Sequence, residues 1–138
     1  MNIKAEYMLR ADLAVLHYET IQWMGDLRFY VDEFQAFKRL IGRKKLHNDI
    51  DHQIHKDIHH LTLIHIDRLL SLLEETAQHE KYLSDLMRYK ADEDSYRERH
   101  KRLAERINRT DNDLKTLKME IYTFLITKRH KQRHGFPI

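Results

Sequence analysis

The stretch LRADLAVLHYETIQWMGDLRFYVDEFQAFKRLIG, residues 9–42, decides the fold. Within it Leu9, Leu13, Leu16, Thr20, Trp23, Leu27, Tyr30, Phe34, Phe37 and Ile41 follow one another in alternating steps of four and three. That spacing is a heptad seam, apolar at every position except Thr20, and it predicts one long helix with a single buried stripe. Gly42 follows directly, where a left-handed C-cap is expected, and Arg43, Lys44 and Lys45 sit where cations complement the helix dipole. Asn48, Asp49 or Asp51 can then cap a second helix.

Two more seams follow along the chain. The second runs Ile54, Ile58, Leu61, His65, Leu69, Leu72, Thr76, His79, Leu83 and Leu86, with one extra step of four between His65 and Leu69. A polar stretch from Lys90 to Ser95 interrupts the pattern, and Asp92, Asp94 or Ser95 can open a third helix. Its seam is Tyr96, His100, Leu103, Ile107, Thr110, Leu114, Leu117, Ile121 and Phe124. The predicted helices cover 4–42, 50–89 and 95–130, and a basic tail covers 128–138. Short connections force neighbours to run antiparallel. The expected fold is therefore all-α: one domain over residues 1–138, an antiparallel up-down-up bundle of three long helices with coiled-coil-like packing. Counting from the first connection pairs Tyr30 with His65, Thr20 with Thr76 and Leu16 with His79; counting from the second pairs Leu83 with His100 and His79 with Leu103.

Composition narrows the function classes. The chain has 138 residues, 41% hydrophobic and 34% charged, with three Gly, one Pro and no Cys. So few turn formers exclude sandwiches, barrels and Rossmann folds. Without Cys there is no disulfide scaffold, thiol nucleophile or thiolate metal site, which suits a reducing compartment and a cytoplasmic protein. Arg10 and Asp12 break the one apolar run near Met1, so no signal peptide is expected, and no uncharged run approaches the roughly 20 residues of a membrane span. No nucleophile elbow or phosphate-cradling Gly loop occurs, so the reading is non-enzymatic.

Between Leu61 and Leu73 the second helix carries Leu61, Leu63, Ile64, Ile66, Leu69, Leu70, Leu72 and Leu73, apolar around most of its circumference. Two neighbouring helices cover only part of such a surface, so self-association is expected, a dimer first. The charge is also uneven. Residues 38–60 and 128–134 carry ten Lys and Arg against three Asp, a formal +7 that leaves −4 elsewhere. Arg43, Lys44, Lys45, Lys128, Arg129, Lys131 and Arg133 are thus candidate contacts for an anionic or acidic protein partner, against the alternative of solvated helix ends.

Two histidine groups could hold zinc, nickel or iron. His17, His79 and His100 come from three helices and fall near one layer, with Glu19 and Glu80 within a turn. The Glu-x-x-His spacing of di-iron bundles is absent, since Glu75 and His79 are four apart. The competing reading, preferred here, is a polar layer of hydrogen-bonded His and Glu that fixes register, with Thr20, Thr76 and Thr110 doing similar work nearby. His52, His55 and His59 form a second, surface alternative on one face of the second helix.

The string Leu16-His17-x-Glu19-x3-Trp23-x3-Leu27-x-Phe29-Tyr30-x-Asp32-Glu33-Phe34, with His79-Glu80, His100-x-x-Leu103 and Phe124-Leu125, resembles a family of short all-helical bacterial proteins of uncharacterised activity. The resemblance spans most of the chain and implies the bundle. It carries no activity, and the histidine-rich segment from His47 to His65 departs from it.

Overall fold

A computed structural model describes residues 3–89 and 95–127, with residues 6 and 7 described in the backbone alone. Among the described residues three helices follow one another: α1 (Ile3–Arg43), α2 (Asp49–Tyr89) and α3 (Tyr96–Ile126). They form the expected all-α bundle. Hydrogen bonds from α1 to α3 join residues a nearly constant distance apart in sequence: Tyr30 to Asp111 at 81, Lys118 to Glu33 at 85 and Tyr96 to Asp12 at 84. A constant offset means that α1 and α3 run parallel, with α2 antiparallel to both.

The seams of α1 and α3 lie where their periodicity puts them. Leu13, Thr20, Leu27, Phe34, Phe37 and Ile41 are buried on α1, and Tyr96, His100, Leu103, Ile107, Leu114, Leu117, Ile121 and Phe124 on α3. The α2 seam needs correction in its first half. Thr62 and Ile66 are buried there, whereas Leu61 is 37% exposed and His65 turns its Nδ1 to the Leu61 carbonyl of its own helix. Because Leu61 to Leu73 is apolar on several faces, periodicity left the inward face undetermined, and contact with two helices selected the next one round.

Helix ends also differ from expectation. Gly42 lies inside α1, which continues to Arg43. Asn48 starts α2 by accepting the Asp51 backbone N–H at 2.8 Å, while the Asp51 carboxylate accepts the His47 N–H at 3.0 Å, a reciprocal arrangement close to a capping box. Ser95 precedes α3 without a side-chain cap. α3 ends at Ile126, with Thr127 extended at φ −70°, ψ 120°, and the expected last turn at 128–130 lies outside the described residues. The tail cations Lys128, Arg129, Lys131 and Arg133, and Asp92 and Asp94, lie outside the described residues.

The core falls into two clusters. The larger holds Leu27, Phe34, Phe37, Ile41, Ile66, Leu69, Leu117, Ile121 and Phe124 with their neighbours. The smaller holds Leu13, Leu83, Leu86 and Tyr96. Between them lie the buried polar residues Thr20, Thr76, His79 and His100.

Candidate functional site: a histidine–carboxylate layer

Each residue of this layer is delivered by a seam. His79 and His100 occupy inward heptad positions of α2 and α3, and Trp23 lies on the α1 seam, so three long helices bring the rings together without any loop. His79 is 5% exposed and His100 6%. Nε2 of His79 lies 3.0 Å from Nδ1 of His100, and Nε2 of His100 lies 2.8 Å from Oε1 of Glu19. Trp23 stacks on His100 with ring centroids 4.5 Å apart. A carboxylate only accepts, so His100 donates its Nε2–H to Glu19. A neutral His100 then offers Nδ1 as an acceptor, and His79 donates Nε2–H to it.

The result is a continuous chain, carboxylate to imidazole to imidazole, from a half-exposed Glu19 to a buried His79. Burial, the neighbouring His100 and the Arg99 charge together lower the His79 pKa to about 4, so its ring is neutral near pH 7. Adjacent to the chain, Asp12 accepts from the Tyr96 hydroxyl at 2.7 Å and from Arg97 at 2.9 Å. Burial pulls the Asp12 carboxyl upward, but those two hydrogen bonds with the Arg97 charge, and His100 whenever it carries a second proton, outweigh it and hold the carboxyl below its usual range.

Of the five residues expected to converge, three do so in one chain: Glu19, His100 and His79. His17 and Glu80 form their own pair, Nε2 to Oε2 at 2.7 Å. Among the described residues no three His, Asp or Glu side chains are arranged as a metal ion requires. At the surface alternative, the His55 and His59 rings stack face to face at 5.8 Å, and His52 is exposed. Thr20, Thr62 and Thr76 donate instead to the carbonyls of Leu16, Ile58 and Leu72, four residues back on their own helices. Thr20 and Thr76 therefore satisfy themselves and select no partner helix, which corrects the expectation that they fix register.

Cross-helix pairs, each with at least one residue outside the seams, do that work. Tyr30 donates its hydroxyl to Asp111, which, with burial and the negative charges nearby, pushes the Tyr30 pKa up to about 12. Arg106 pairs with Glu75, and Lys118 reaches Glu33 at 2.7 Å. At the basic end Arg43 and Lys45 are exposed, but Lys44 is engaged: its Nζ donates to the Leu125 carbonyl at 3.2 Å and the Thr127 carbonyl at 2.7 Å, closing the end of α3.

No helix among the described residues is long and apolar enough to cross a membrane. Comparison of the chain with models of protein families, with curated proteins and with solved structures finds no match in any of the three.

Proposed function

We propose that this protein acts by association, as a helical bundle that binds first to its own copies. The observation that carries the reading is unused apolar surface. With the core already filled, Met8, Val15, Tyr18, Ile21 and Phe29 on α1 and Leu61 and Leu70 on α2 remain between 37% and 63% exposed. Isolated exposed side chains are ordinary, but runs along one helix are characteristic of interfaces. The histidine layer has a supporting part: its directional bonds hold three helices in one alignment, which keeps such an outer face regular. Arg43 and Lys45 leave the basic end open to an acidic partner.

Light scattering at micromolar concentration is expected to give at least twice the 16.9 kDa chain mass. A monomer under those conditions overturns the reading.

Metal binding is the alternative function, and one feature favours it. The His79 and His100 nitrogens face each other while Glu19 backs the outer nitrogen of His100, as carboxylates often do behind metal-bound histidines. It is separated from a structural layer by thermal unfolding. A melting temperature that rises several degrees with zinc, and loses the rise in His79→Ala but not in His55→Ala, establishes the metal reading. Insensitivity to zinc and chelator supports the structural layer.

A further inference from the structure

On the face of α1 turned away from the bundle, a second heptad row runs beside the buried seam. Lys4, Ala11, Tyr18, Gly25 and Asp32 are spaced seven apart, and all five are exposed. Met8, Val15, Gln22 and Phe29 flank it on one side, with Ala14, Ile21 and Arg28 on the other, and these are exposed as well. Between its two end charges the row is uncharged over about 42 Å, taking 1.5 Å per residue. Gly25 stands in mid-helix, where glycine costs about 1 kcal/mol against alanine. Nothing in the subunit requires it, since an added Cβ meets no atom within 4 Å.

We propose that this row is a dimer interface, in which two copies of α1 pack antiparallel about a two-fold axis at Tyr18. The proposal rests on the self-association reading and locates it. Four features choose a second copy as the occupant. First, the row is self-complementary only when reversed: antiparallel pairing sets Lys4 against the partner's Asp32 at both ends, whereas parallel pairing opposes like charges. Neither Lys4 nor Asp32 is ion-paired within the subunit among the described residues. Second, the same reversal sets Ala11 against the partner's Gly25, so small residues coincide and the backbones can approach closely. Third, Val15 meets the partner's Gln22 and Ala14 meets the partner's Ile21, which keeps the centre free of charge. Fourth, a groove of about 690 Å³ opens beside Met8, Ala11 and Val15, walled on its far side by Tyr96 and Arg97. Met8 is the position that faces the partner's Phe29. Phe29 is 60% exposed in its own subunit, so each copy offers a ring to the groove of the other.

The native chain contains no Cys, so one substitution reports the geometry. Tyr18→Cys is expected to form a covalent dimer in high yield under mild oxidation, whereas Ser71→Cys, exposed on α2, is not. Gly25→Leu is the second variant. It improves helix propensity and meets open space in the subunit, so the melting curve of the dilute monomer is preserved or raised, while the added bulk is expected to weaken the dimer at least tenfold in sedimentation equilibrium. Lys4→Glu is expected to weaken it too, and Lys4→Glu with Asp32→Lys to restore it. A parent that sediments as a dimer, with no Tyr18→Cys cross-link and an unaffected Gly25→Leu variant, overturns this interface while leaving self-association intact. A parent that is monomeric at micromolar concentration overturns both.

Discussion

Around Phe34 the three helices meet through rings and branched chains. Phe34 is fully buried, its ring edge-on to Phe37 at 5.2 Å, and Ile41, Leu69, Ile121 and Phe124 complete the packing. Two heptads earlier on α1, at Thr20, the same three helices meet instead through His79, His100 and Glu19. The first region is stabilised by removing apolar area from water, which is non-directional and indifferent to pH. The second gains little from area and depends on each nitrogen finding a partner, so it discriminates between registers that the first would tolerate. One end of the bundle supplies stability and the layer supplies alignment, and the two differ in how they fail.

The largest difference is expected from truncation in the apolar region. Phe34→Ala should cost about 3–5 kcal/mol in denaturant unfolding, because a large ring leaves a cavity that straight helices cannot close. The loss should be the same at pH 7 and pH 5. A cost below 1 kcal/mol breaks the contrast by showing that this region relaxes.

Between pH 7 and 4 acid should act first on the layer. His79 has a folded pKa of about 4 against an ordinary 6.5, so the unfolded chain binds the extra proton between those values. Stability is then complete above pH 6.5 and is lost as pH falls towards 4, by about 3 kcal/mol at 1.36 kcal/mol per unit. The carboxyl of Asp12, held below its ordinary value, adds its own loss only at lower pH. Unfolding at fixed protein concentration across pH 7 to 4 checks this against His79→Gln, which should show a flatter profile in that window. Parallel profiles for parent and variant remove the layer from the acid response.

The smallest effect is expected at Thr76. Its hydroxyl is buried yet bonds only to Leu72 of its own helix, so Thr76→Val should change stability by under about 1 kcal/mol and leave oligomeric state untouched. A larger loss would sharpen the comparison by extending the alignment layer one turn towards the apolar region.

The two seams of α1 and α3 were legible because each helix has one apolar stripe, and a stripe of that kind admits one inward face. His79 and His100 were legible as polar residues on seams that are mostly apolar. Periodicity therefore determined the three helices of the described residues, nearly where they begin and end, and a polar layer with histidines across the core. Packing between helices selected which of several apolar faces α2 turns inward, burying Thr62 and Ile66 and leaving Leu61 outside. It also decided that His17 takes Glu80 while His100 takes Glu19, and that Lys44 closes α3. The physical reason is range. Periodicity records the direction a residue faces along its own helix, to within a turn. Hydrogen bonds are made within about 3 Å, so a partner is chosen by rotations and offsets between helices that no single helix encodes.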